Sequence, residues 1–193
     1  MQKLITAALA ALCLAAPTGA LAQLQLPGGA PPIAPGPRLP EGVTPNLGCT
    51  VDLAIASVSL YKYSRPGDVR VEFEIYNRGP GAWLSGTGQQ SANLVVHNNN
   101  TGRDYTLSVP IGERRYARGA RVARVVSTPI RDAFDPHEFG GTVRMSIAWD
   151  PDIRIDGNAC NDDSNPANDT YELTTAQVWG FVSGAARSQT FRR

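Results

Sequence analysis

Residues 69–75 are Val-Arg-Val-Glu-Phe-Glu-Ile, a strict alternation of apolar and charged side chains. Successive side chains of an extended strand point to opposite faces, so four apolar residues share one face and three charged residues share the other. The same period recurs in residues 141–150, where Val143, Met145, Ile147 and Trp149 share a face. Both segments are predicted to be strands with one buried face.

Five further segments have the composition of strands, and turn signals separate them. They are residues 51–60, 93–98, 104–109, 120–127 and 170–174. No segment shows a sustained helical period. About seven strands separated by turns are typical of an immunoglobulin-like β-sandwich, in which two sheets bury their apolar faces together. The predicted fold class is therefore all-β, with this sandwich preceded by a signal peptide and a proline-rich linker.

Residues 1–22 have the features of a signal peptide. A basic residue precedes an apolar stretch at residues 4–16, and residues 20–22 (Ala-Leu-Ala) fit a signal-peptidase site. The apolar stretch is shorter than the roughly 20 residues of a transmembrane helix, and no later segment approaches that length. Cys13 lacks the small preceding residue of a lipoprotein signal, so we expect it to be discarded. The prediction is an exported protein, periplasmic or secreted, without a transmembrane segment.

Three regions follow the predicted signal peptide. Residues 23–47 contain seven prolines and are predicted to form a disordered or extended linker. Residues 48–175 hold the predicted strands and form the sandwich domain. Residues 176–193 are a C-terminal tail, for which two alternatives remain: an extra strand of the sandwich, or a peptide that binds a partner or a larger assembly.

The charge balance argues against one class of partner. The chain has 18 Lys and Arg against 17 Asp and Glu, and loss of Lys3 with the signal peptide makes the two numbers equal. A molecule without net charge has no global field to attract a polyanion such as DNA. We expect no nucleic-acid partner.

Two cysteines remain after removal of the signal peptide, Cys49 and Cys160. Exported proteins meet an oxidising compartment, where paired cysteines form disulfides. An intramolecular Cys49–Cys160 bond is therefore predicted, with two free thiols as the alternative. No Cys-x-x-Cys spacing indicates redox catalysis or a zinc site.

Several short motifs together resemble the CARDB family, the cell-adhesion-related domains found in bacteria. They are Asp52-Leu53, Pro66-Gly67-Asp68, the segment 71–79 that ends in Asn77-Arg78-Gly79, and Asn168-Asp169-Thr170-Tyr171 after an acidic loop. The resemblance covers residues 49–175 and implies an immunoglobulin-like fold and a role in adhesion. The acidic loop is longer than the family's usual compact run and contains Cys160.

The acidic loop is the first candidate site. Its aspartates offer the oxygen ligands that calcium prefers. The candidate calcium ligands are Asp150, Asp152, Asp156, Asp162 and Asp163. No cofactor other than calcium is predicted. The alternative is a solvated loop, held by the disulfide, in which Asp and Asn side chains bond turn backbone.

A basic cluster and a tryptophan form the second candidate site. The cluster is Arg114, Arg115, Arg118 and Arg121, with Arg124 close behind in the sequence. Guanidinium groups suit phosphate and carboxylate partners, which favours an anionic envelope polymer. The alternatives are protection of a strand edge and a plain solvated face. Trp83 lies in a glycine-rich segment and is predicted either to stack on a sugar or protein partner or to cap the end of the sandwich.

Catalytic motifs are absent from the sequence. There is no Gly-x-Ser-x-Gly, no His-Glu-x-x-His and no phosphate-binding glycine loop. A carboxylate pair for glycoside hydrolysis within residues 150–169 is the one catalytic alternative. The predicted function is a non-catalytic exported interaction module that binds a protein in adhesion or at the envelope. The alternative is a calcium-stabilised module that binds an envelope glycan or anionic polymer. The oligomeric state is not predicted.

Overall fold

The protein is described by a computed structural model over residues 49–86, 88–112, 114–137 and 140–193. The predicted signal peptide at residues 1–22 and the predicted linker at residues 23–47 lie outside the described residues. Strands make up about half of the described chain. In chain order they are β1 (Leu53–Lys62), β2 (Val69–Asn77), β3 (Trp83–Ser85), β4 (Gln90–Asn98), β5 (Arg103–Pro110), β6 (Arg114–Tyr116), β7 (Arg121–Val126), β8 (Gly141–Trp149), β9 (Thr170–Leu173) and β10 (Ser188–Arg192).

The strands form two four-stranded antiparallel sheets and a small ribbon. The first sheet has the order β10-β1-β2-β7, and the second has the order β5-β4-β8-β9. The ribbon consists of β3 and β6. Apolar side chains from both sheets form one buried cluster between them. The predicted all-β sandwich is confirmed, with ten strands in the described residues where about seven were predicted.

The alternation that predicted β2 is the alternation of burial in the structure. Val71, Phe73 and Ile75 are at most 1 % exposed, whereas Glu72 and Glu74 lie on the solvent side of the first sheet. In β8, Val143, Met145 and Ile147 face the same core from the second sheet. Burial of one face by each sheet is the main favourable term for such a sandwich, at about 25 cal/mol per Å² of apolar surface.

The C-terminal tail forms a helix and a strand. Helix α1 (Thr175–Ser183) begins with a capping box in which Thr174 and Gln177 each bond the other's backbone. The helix buries Val178 and Phe181, and β10 pairs with β1. The prediction from the sequence, which found no helical period, therefore missed a short helix. The folded part also continues past residue 175, where the sandwich domain was predicted to end. Among the described residues, no helix is long and apolar enough to cross a membrane.

The Asn77-Arg78-Gly79 motif closes the end of β2. The buried Asn77 side chain donates to the carbonyl oxygens of Gly81 and Tyr116 at 2.8 and 3.1 Å and accepts from the Gly79 amide. A Cβ at Gly79 would lie 2.6 Å from both the Thr50 carbonyl oxygen and the Asp52 amide nitrogen. The motif thus packs backbone against backbone beside the start of β1.

Replacement of Gly79 by alanine is expected to destabilise the fold by about 1–3 kcal/mol, because backbone must move to accept the new methyl group. Gly112→Ala is the matched control, since a Cβ there meets no described atom within 4 Å. Urea unfolding of both variants measures the difference. Equal stability of the two variants would show that the close approach at Gly79 is unimportant.

Candidate functional site

The acidic loop is held along the start of β1. The predicted disulfide between Cys49 and Cys160 is present. Beyond it, Val51 forms a parallel bridge with Asp163, and the Asp163 carboxylate accepts from the Leu53 amide at 3.0 Å. The Asn168 amide donates to Asp52 Oδ1 at 2.7 Å. One covalent bond, one isolated β-bridge and a row of hydrogen bonds therefore hold this long loop against the start of β1.

The predicted calcium ligands are spread along the turns of this loop. The carboxylates of Asp150 and Asp156 accept from backbone amides two residues onward, and those of Asp163 from the amides of Asn165 and Leu53. Within the described ranges, no group of three or more His, Cys, Asp or Glu side chains is arranged to hold a metal ion. These bonds match the alternative in which the aspartates satisfy turn backbone.

A cavity of about 240 Å³ opens beside Trp149 and is named here the Asp169 cavity. Its walls include Trp149, Asp150, Ile153, Arg154, Asp163 and Asp169. Asp169 is only 8 % exposed, and its Oδ2 atom accepts from the Trp149 indole at 2.9 Å. Its Oδ1 atom is buried and has no hydrogen-bond partner among the described residues.

Burial raises the pKa of Asp169 to about 7, and the negative charges of Asp163 and Asp52 act in the same direction. The hydrogen bond from Trp149 and the positive charge of Arg154 oppose this rise. Burial also raises the pKa of Asp163. Asp169 ends the acidic loop and the 150–169 segment of the carboxylate-pair alternative, but it is not among the predicted calcium ligands.

The predicted basic cluster is divided by ion pairing. Arg121 donates to Glu74 at 2.8 Å, and Arg124 donates to both oxygens of Glu72 at 2.7 and 2.9 Å. The hydrogen bond from Arg124 is the main cause that lowers the pKa of Glu72. Arg121 is thus engaged on the outer face of the first sheet. The other predicted members, Arg114, Arg115 and Arg118, are exposed and form no ion pair within the described part of the chain.

Trp83 lies in the core. Its exposure is 0 %, and its ring lies 5.3 Å from that of Tyr116 in the partner strand. The prediction that Trp83 stacks on a sugar or protein partner is therefore corrected, because strand β3 turns the indole inward. Trp149, by contrast, was expected to be buried and is partly exposed at the Asp169 cavity.

The β3–β6 ribbon presents its other face to solvent. Leu84 pairs with Arg115 across the ribbon and is 47 % exposed. The Leu84 amide donates to the Cys160 carbonyl oxygen at 3.0 Å, and its carbonyl oxygen accepts from the Asn158 side chain. We name Leu84 and Arg115, which lie opposite each other on this face, the ribbon surface. Ile155, three residues before Asn158 in the bonded loop, is 83 % exposed.

Loss of the disulfide is expected to lower the free energy of unfolding by about 4 kcal/mol, because the bond closes a loop of 111 residues. The variant with both Cys49→Ser and Cys160→Ser is compared with oxidised and reduced wild type in denaturant. The reduced wild type controls for the substitutions and should match the variant. Equal stability of variant and oxidised protein would contradict the expectation.

Asp169→Asn is expected to change how stability depends on pH. The native state holds the Asp169 proton up to about pH 7, whereas the unfolded state releases it near the ordinary value of 3.8. This carboxyl therefore contributes stability at low pH that is lost as the pH rises from about 4 to 7. The free energy of unfolding of the variant, relative to wild type, should increase over that window. Glu172→Gln, at an exposed site with no ion pair among the described residues, is the control. Parallel curves for Asp169→Asn and wild type would contradict the raised pKa of Asp169.

Comparisons of the chain with protein-family models, curated proteins and solved structures found no match. The resemblance to the CARDB family therefore stays a prediction.

Proposed function

We propose that this protein is a non-catalytic interaction module, exported to the periplasm or secreted, that binds a protein partner through the ribbon surface. The observation that carries the proposal is the pairing of an exposed aliphatic side chain, Leu84, with the exposed guanidinium of Arg115 on a ribbon bonded to the disulfide loop. Adhesion or attachment of an envelope protein is the favoured setting. The CARDB resemblance and the disulfide, which suits an exported protein, support that setting.

The ribbon surface has the chemistry of a protein interface. Arginine is enriched in such interfaces, and the buried centre of an interface is more apolar than its rim. Burial of a leucine side chain contributes about 1.5–3 kcal/mol. The exposed Arg115 favours a partner with a carboxylate beside an apolar centre.

The ribbon is also pre-organised for binding. Its backbone is hydrogen-bonded to Cys160 and Asn158, and Cys160 is joined to Cys49 by the disulfide. A surface that is already ordered loses less conformational entropy on association. The outer face of the first sheet is a weaker candidate, because its arginines Arg121 and Arg124 already pair with glutamates.

An anionic polymer or glycan is the second candidate partner. A cleft of about 360 Å³ beside Ala56 is lined by Tyr76, Arg78 and Arg118. Neither arginine forms an ion pair with a described residue. Two guanidinium groups on an otherwise apolar cleft suit a phosphate or carboxylate polymer. Calcium dependence belongs to this candidate.

A pull-down with matched variants tests the proposal. The oxidised protein is immobilised and incubated with envelope extract, the retained protein is identified, and its Kd is measured after purification. Leu84→Ser with Arg115→Ser is expected to weaken that Kd at least about tenfold, or about 1.4 kcal/mol. Val126→Ser with Arg187→Ser is the control, because it removes an exposed apolar side chain and an exposed arginine elsewhere.

The alternative partner is tested in parallel. The second candidate would be favoured if the protein retains an anionic polymer, with or without calcium, and the variant with both Arg78→Gln and Arg118→Gln does not. An unchanged Kd for the Leu84 and Arg115 variant would remove the ribbon surface from the proposal.

A further inference from the structure

We infer that the Asp169 cavity binds the cationic side chain of an arginine or lysine that belongs to a protein partner. This site is separate from the ribbon surface, and the inference does not depend on that surface. Two independent features meet at the cavity: the buried carboxylate of Asp169, one oxygen of which lacks a hydrogen-bond donor, and apolar walls that suit an aliphatic stem.

Residues 161–169 contain an excess of buried acceptors. Four buried side-chain oxygens there have no donor among the described residues, namely those of Asn161, Asp162, Asn168 and Asp169. The Asn168 orientation is set by its own N–H donation to Asp52, so its unpaired atom is the oxygen. Of the four, Asp169 lines the cavity, and it is more than nine-tenths buried. A buried acceptor without a donor is costly, and a ligand that carries N–H groups removes that cost.

The charge of the cavity favours a cation. Asp150 and Asp163 line it together with Asp169, and Asp52 lies close enough to raise the pKa of Asp169. A positive ligand relieves the repulsion among these carboxylates. Guanidinium and ammonium groups are acceptor-free donors, which matches the acceptor excess.

The walls favour an organic cation. Trp149, Pro151, Ile153 and Pro166 supply apolar surface. Arginine and lysine bury their methylene stems against such surface, and a guanidinium or ammonium gains further from an aromatic face. The volume of about 240 Å³ is below the roughly 300–1,000 Å³ of sites for drug-sized ligands, so it suits one side chain.

An arginine of the protein itself can compete with a partner's cation for the position beside Asp169. Arg154 lines the cavity, and its charge lowers the pKa of both Asp163 and Asp169. Arg154 is exposed and forms no ion pair of its own in the described ranges. A partner's arginine therefore competes with Arg154, and removal of Arg154 should strengthen binding. A purely structural role for the cavity predicts no such gain.

Binding is also expected to depend on pH. The charged groups that act on Asp169 are Asp52, Asp163 and Arg154, and Trp149 donates to it. A cationic ligand binds the ionised carboxylate, which predominates above pH 7. Affinity should therefore rise between pH 6 and pH 8, and Asp169→Asn should remove most of that rise.

The experiment follows the indole N–H signal of Trp149 by nuclear magnetic resonance, because that N–H group donates a hydrogen bond to Asp169. The oxidised protein is titrated with Gly-Arg-Gly, Gly-Lys-Gly and, as the neutral control, Gly-Gln-Gly. The Arg or Lys peptide should shift the signal in a saturable manner, and the Gln peptide should not. Asp169→Asn should weaken binding at least about tenfold, Arg154→Gln should strengthen it, and Asp104→Asn should leave it unchanged.

Each remaining outcome decides the inference. Absence of a shift with millimolar Arg and Lys peptides overturns it, as does an equal response to the Gln peptide. A shift with calcium chloride but not with the peptides overturns it in favour of a metal site. A shift with spermidine but not with the peptides assigns the cation to a free polyamine and overturns the protein source. If Asp169→Asn fails to fold, weaker or unchanged binding by Arg154→Gln still contradicts the competition.

Discussion

The bond between Cys49 and Cys160 joins the segment that precedes β1 to the middle of the acidic loop, and both candidate surfaces depend on it. Hydrogen bonds from Leu53 and Asn168 continue the attachment along β1. The ribbon is hydrogen-bonded to the backbone of Cys160, and the same loop forms part of the Asp169 cavity. A single covalent constraint thus orders a segment whose polar composition supplies little apolar surface to bury.

The strands were predictable because burial follows the local period of the side chains. Glu72 and Glu74 were correctly placed on the outer face of β2, but their pairing with Arg124 and Arg121 was not predicted. Those partners lie about 50 residues further along the chain, and sequence separation alone does not show which strands are neighbours. For this reason the sequence did not show that Arg121 and Arg124 pair with glutamates, whereas the rest of the predicted arginine cluster stays unpaired among the described residues.

The candidate site was predictable in location and less so in detail. The acidic loop was singled out by composition, yet Asp169 acquires its raised pKa from burial, which local sequence does not encode. Trp83 was misplaced because glycine-rich surroundings indicate an exposed loop, whereas a three-residue strand turns the ring inward. Helix α1 was missed because nine residues are too few to show a period, although Thr174 and Gln177 carry a capping signal.

Asp169 shows how the constraint and the proposed binding are connected. An aspartate with one unpaired buried oxygen destabilises the native state, and a free loop would lower this cost by turning the carboxylate toward water. The loop is not free, since the disulfide and the bonds to Asp52 and Leu53 hold it against β1. The Asp169 carboxylate therefore stays buried beside the cavity, where the lower dielectric strengthens the proposed interaction with a cation. The contribution of the disulfide to stability offsets the cost of that carboxylate.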